Sequence, residues 1–179
     1  VTPVIVTEGI TPLVHIDNGE EAEHSEKEMP VCEDFGEEHT EATEEAHSHG
    51  ECDPHVWGNP QNVMVIADNI AAAFAELEPA YAEVYRANAD AYKAELEDLD
   101  NEIDGMFTDI PVEERLIVTN HNFLGYFAEH YGFTVVGTVI PGISTLAEPN
   151  PRELADLSQQ IQELGVKAIF VEFSATEDL

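Results

Sequence analysis

The run from Pro79 to Met106 constrains the fold more than any other part of the chain. Tyr81, Val84, Tyr85, Ala91, Tyr92, Leu96, Leu99 and Ile103 recur at three- and four-residue steps among acidic and polar residues, the period of a helix with one apolar stripe. At about 1.5 Å per residue such a helix approaches roughly 40 Å, long enough to cross a whole domain. It reads as a strut. Another helical run, QNVMVIADNIAAAFAEL, comes just before it; there Asn59-Pro60 supplies an N-cap and a proline at the first helical position.

After Pro111 the grammar changes to alternation. LIVTN reads as a strand, 122–130 as a helix ended by Gly132, TVVGTVI as a strand, 151–164 as a helix ended by Gly165, and KAIFVEF as a strand. Apolar, unalternating strands between helices predict a parallel sheet covered on both faces, hence an α/β fold class. In such sheets ligands sit at the carboxyl ends of strands. The opening TPVIVTEGITPLVHI predicts a short strand, a turn at Gly9 and a second extended piece. From Asp17 to Glu51 no period is visible, and 14 acidic residues accompany a single lysine there. That composition buries too little apolar area to order itself, so a mobile loop is expected.

The formal net charge of -32 opposes binding to nucleic acid and to anionic membranes, which need basic surfaces. Walker-type, dinucleotide-type, C-x-x-C and G-x-S-x-G motifs are absent from the sequence. Cys32 lies within the acidic stretch and Cys52 directly after it, where a loop-closing disulfide would sit in an oxidising compartment; a reduced thiol pair is the alternative. No run of about 18 apolar residues offers a transmembrane helix.

Two histidines stand where a site would be. His121 follows the strand LIVTN directly, and His55 lies in DPHVWGNP between the acidic loop and a capped helix. Each has an ordinary reading as a hydrogen-bonded histidine. Together, with Glu172 at the end of another strand, they form a set able to converge on a metal. Asp53 is the candidate to fix the second nitrogen of His55, and Glu172 has a supporting role beside the ion. His24, His39, His47 and His49 sit among glutamates in the loop and offer weak, exchangeable coordination, a solvated charge run being the alternative.

Four motifs in order, DPHVWGNPQNV, VTNHNFLGYFAEHYGF, GISTLAEPNPRELADL and VKAIFVEFS, resemble the ZnuA-like metal-binding receptors of ABC importers, the cluster A-I (cluster 9) solute-binding proteins. The resemblance runs from Val4 to Ser174 and includes the His-rich insertion. It implies two parallel-sheet α/β lobes joined by a long rigid helix: 1–78 as the remainder of an N-terminal lobe with the disordered loop 17–51, 79–109 as the linking helix, and 110–179 as the first part of a C-terminal lobe. The chain is then expected to be a fragment cut at both ends, with one histidine ligand upstream and one carboxylate ligand downstream.

By the same resemblance His55 and His121 bind the metal. Manganese-type members commonly carry a carboxylate at the second position, so imidazole there favours Zn2+ over Mn2+. Gly58 departs from the bulky residue usual after the motif's tryptophan. The implied function is capture without catalysis: a monomeric extracytoplasmic receptor, periplasmic or lipid-anchored, that takes up a divalent ion and delivers it to a permease coupled to an ATPase. A manganese or iron receptor of the same fold, a zinc-dependent hydrolase, and a metal-buffering or adhesion protein using only the histidine loop are the rival readings.

Overall fold

The computed structural model describes residues 4–13, 52–140 and 151–172. The helices α1 (Pro60–Leu77) and α2 (Ala82–Phe107) form an antiparallel hairpin through a single turn at Pro79–Tyr81. Asn59 caps α1, its side chain accepting from Gln61 N, and Pro60 follows at the first helical position, so the local signals act as read. The hairpin's register shows in its cross-links: Gln61 Nε2 donates to Asp100 Oδ2 at 2.7 Å, Lys93 Nζ to Asp68 Oδ1 at 2.7 Å, and the Phe74 and Tyr85 rings meet at 5.4 Å. Ala71, Ala75 and Ala89 are buried with Leu96, small side chains that let the two backbones approach.

The far end of α2 is fastened to the rest of the molecule. Arg115 donates from Nη2 to Phe107 O, from Nε to Ile110 O and from Nη1 to Tyr131 O, at 2.7–2.9 Å, and a cation there complements the helix's negative end. The Phe107 ring packs against Phe127, Tyr131 and Phe133.

Beyond this junction lie β1 (Leu116–Thr119), α3 (Gly125–Tyr131), β2 (Thr134–Thr138), α4 (Pro151–Leu164) and β3 (Ile169–Phe170). The three strands are parallel in the order β2-β1-β3. Central β1 is buried, with Val118 and Thr119 sealed completely. Strands on either side of β1 make its carboxyl end the crevice of the sheet. Gly132 at φ 70° and Gly165 at φ 68° close α3 and α4, left-handed positions that glycine fills without steric cost.

Four expectations need correction. Residues 4–13 form a turn and irregular chain, not strands. Asn69 Nδ2 takes the Val6 and Glu8 carbonyls, and the Tyr126 hydroxyl accepts from Leu13 N, so side chains satisfy this backbone. Helix α3 starts at Gly125, not at residue 122, and β3 pairs over two residues only. Among the described residues the sheet is not covered on both faces throughout, because Ile169, Phe170 and Val171 are about half exposed. The loop 17–51, with His24, His39, His47, His49 and Cys32, lies outside the described residues; Cys52 is disulfide-bonded.

Candidate functional site

His55 is fixed by the residue two before it. Asp53 Oδ1 accepts from His55 N at 2.9 Å and lies 2.6 Å from His55 Nδ1, and both residues are buried. A carboxylate accepts from N–H, so the tautomer that makes this bond carries its proton on Nδ1 and presents Nε2 to a ligand. Asp53 is itself held on every side. Its N–H donates to Leu13 O at 2.9 Å, and its carbonyl accepts from the Tyr126 hydroxyl at 3.0 Å. A Cβ placed on Gly125 would stand 2.6 Å from Asp53 Oδ2. The chain then turns through Val56–Gly58 into the cap of α1, leaving Trp57 exposed with its ring against that of His55. A Cβ on Gly58 would meet α3 and the Phe123 carbonyl only at 3.7–3.9 Å, so no close approach forces glycine there.

His121 arrives from the sheet. Asn120, just past β1, donates its N–H to Phe170 O at 3.0 Å, and its carbonyl accepts from Ile140 N at 2.7 Å. Three strand ends are thus knitted directly beneath the ring. His121 is 3 % exposed, stacked on Phe123 at 5.1 Å and edge-on to His55 at 5.3 Å between ring centroids. Glu172 Oε2 lies 3.3 Å from His121 Nδ1, an electrostatic contact without hydrogen-bond geometry, since Nδ1 has no hydrogen-bond partner. The Glu172 backbone N–H donates to Asn120 Oδ1 at 3.2 Å, which holds this glutamate at the strand end. Burial pushes the His121 pKa below the ordinary imidazole value; the nearby Glu172 carboxylate pulls it back up, His55 pushes it further down, and Asp53 raises it. The ring is therefore neutral at pH 7.

The structure thus brings together Asp53 and His55 from one loop segment with His121 and Glu172 from two strand ends. What they offer chemically is two imidazoles edge to face, one braced by a buried carboxylate and the other beside a partly exposed one. Among the described residues no group of three or more His, Cys, Asp or Glu side chains is arranged to hold an ion. Sequence reasoning missed Asn120, Phe123, Gly125 and Tyr126. Their signal was the string NHNFLGYF around His121, which entered only as part of a family motif.

Residues 2–179 match the family model described as "Zinc-uptake complex component A periplasmic". The zinc-binding protein AdcA of Streptococcus pyogenes is 33% identical over 139 residues, which are 78% of this chain and 26% of AdcA. The manganese ABC transporter substrate-binding lipoprotein PsaA of Streptococcus anginosus is 34% identical over 128 residues, 72% of this chain and 41% of PsaA. Among solved structures, the periplasmic zinc-binding protein TroA of Treponema pallidum superposes with a TM-score of 0.65 at 29% identity, covering 73% of this chain and 47% of TroA. The chain spans about a quarter to two fifths of these curated relatives and about half of the solved structure. The fold is that of the two-lobed metal receptors. No helix among the described residues is long and apolar enough to cross a membrane.

Proposed function

The chain belongs to the ZnuA family, and from that premise we propose that it is part of the zinc-capturing receptor of an ABC-type uptake system, with His55 and His121 as ligands to the ion. One observation carries the reading: the two rings, from segments far apart in the chain, lie 5.3 Å apart and buried, with Nδ1 of one occupied by Asp53. That leaves nitrogen lone pairs for a cation arriving as cargo. Two nitrogen donors suit zinc better than manganese. Asp53 and Glu172 support the two rings and hold negative charge beside the ion.

In this reading the histidines of the acidic loop add weak, exchangeable sites. The 79–109 segment joins the end of an N-terminal lobe to the start of a C-terminal one, and further ligands come from the rest of a longer protein. The loaded receptor works outside the cytoplasm as a monomer and delivers its ion to a permease and its ATPase, without catalysis. A manganese receptor is the second reading, favoured by the PsaA relative.

The test is competition titration of the full-length protein with zinc and manganese, beside His55→Ala and His121→Ala. Tighter zinc binding that collapses in both variants is expected. Wild-type zinc affinity in either variant overturns the ligand assignment, and manganese displacing zinc at equal concentration overturns the choice of cargo.

A further inference from the structure

Away from the two histidines, one carboxylate ties together the helices that follow each of them. Asp100, on α2, is mostly buried with its side chain 16% exposed. Its Oδ1 accepts from the Tyr131 hydroxyl at 2.7 Å and lies 2.8 Å from His130 Nε2, while its Oδ2 accepts from Gln61 Nε2 at 2.7 Å. Burial alone pushes the Asp100 pKa up, but the hydrogen bonds from Gln61, Tyr131 and His130 outweigh it and hold the carboxyl below its ordinary value. At neutral pH it is a charged acceptor for three donors.

Each donor belongs to an arm that leads to one histidine. Gln61 is in the first turn of α1, where its N–H donates to the Asn59 cap and the neighbouring Asn62 side chain donates to Val56 O at 3.0 Å, next to His55. His130 and Tyr131 end α3, a seven-residue helix whose other end carries Tyr126, the donor to Asp53 O. His121 enters the site four residues before that helix begins. Short rigid helices transmit such an anchor with little slack, because packed elements resist continuous deformation.

We propose that Asp100 is a positioning residue for the metal site, a common anchor that sets the separation of His55 and His121 through Gln61 on one side and His130 and Tyr131 on the other. The inference rests on the reading that these histidines bind the ion. It adds a third segment, remote from the rings, to what determines affinity.

The experiment is a zinc competition titration of the full-length protein at a temperature where circular dichroism shows every variant folded. Asp100→Ala is expected to weaken zinc binding by roughly tenfold, the low end of what loss of a supporting group costs a metal site. Gln61→Ala alone should weaken it less, and should add nothing in the Asp100→Ala background, since the arm it cuts is already free. Asp100→Asn should recover most of the affinity, because an amide still accepts from Tyr131 and can pair with a turned Gln61 amide. A merely structural carboxylate would lower Tm in Asp100→Ala and leave Kd unchanged. Wild-type affinity in folded Asp100→Ala, or a Gln61→Ala loss undiminished in that background, overturns the proposal. Should Asp100→Ala fail to fold, Gln61→Ala and Tyr131→Phe decide, and wild-type affinity in both overturns it. His121→Ala in the same assay separates the two levels: lost binding there with unchanged Asp100→Ala defeats only the anchor, whereas retained binding defeats the receptor reading itself.

Discussion

Gly125 and Asp53 are packed so closely that a methyl group on the glycine would stand 2.6 Å from Asp53 Oδ2 and 3.5 Å from Leu13 Cδ1. The carboxylate has nowhere easy to go, because its other oxygen is engaged by both His55 N and His55 Nδ1 and the residue is 2 % exposed. Helix α3 therefore begins with glycine because of the residue that braces a histidine on another segment.

Gly125→Ala should displace the Asp53 carboxylate and release Nδ1 of His55. Overpacking of this kind costs about 1–3 kcal/mol of stability, and loss of the brace costs about 10- to 100-fold in metal affinity. Urea unfolding and zinc competition on the full-length protein measure the two effects separately. A variant with wild-type zinc affinity would show that the brace is not needed.

The His121 pKa is pushed down chiefly by burial, against the pull of Glu172 and Asp53. The unfolded chain, with imidazole near 6.5, takes up this proton before the folded one does. The contribution to stability is thus full above about 6.5 and is lost as pH falls through the lowered folded value. With zinc removed by chelation, the urea midpoint of the wild type should fall across that window, and the part due to this ring should be missing in His121→Gln. Zinc-loaded protein should resist the same acidification further, because the ion competes with the proton for the ring.

Arg115 serves three carbonyls from one guanidinium: Phe107 at the end of α2, Ile110 in the turn after it and Tyr131 at the end of α3. Arg115→Ala leaves them without a charged donor and should destabilise the protein by about 2–4 kcal/mol. Arg115→Lys should fall between, since a single ammonium cannot reproduce the planar fork. The denaturant midpoint at constant slope reports this, and an unchanged midpoint in Arg115→Ala would mean that water replaces the guanidinium without cost.

Much of the frame was legible because its signals are local. Asn59-Pro60 opens α1, and Gly132 and Gly165 end helices in left-handed turns, since caps and positive φ angles depend on a few adjacent residues. His121 was legible as a strand-end residue because LIVT is a continuous apolar run. The nearness of His55 to His121 came from resemblance, as no period in the sequence encodes a contact across that separation. The brace on Gly125 and the three-way junction at Asp100 were not legible, because each exists only where three segments meet. The opening segment misled for a related reason: its β-favouring residues found side-chain partners in Asn69 and Tyr126 instead of a neighbouring strand. Strand propensity reports a fit to a pleated surface, and here none was beside it.

The ring at position 121 should also decide which ion is preferred. His121 faces Glu172 at 3.3 Å and belongs to a pocket that already contains the Asp53 carboxylate. His121→Glu would put a third carboxylate there, replacing a nitrogen donor by hard oxygen, which lowers the preference for zinc and raises that for manganese. Without an ion, like charges at that spacing repel, so one carboxyl should hold its proton near neutral pH and the metal-free variant should be less stable than the wild type. Addition of manganese should restore stability more in the variant than in the wild type, by the amount that differential binding supplies. Thermal shifts of the full-length protein with zinc, with manganese and with chelator test this in one series. An unchanged zinc-to-manganese ratio in His121→Glu would mean that selectivity is set by ligands elsewhere in the longer protein and not by this ring.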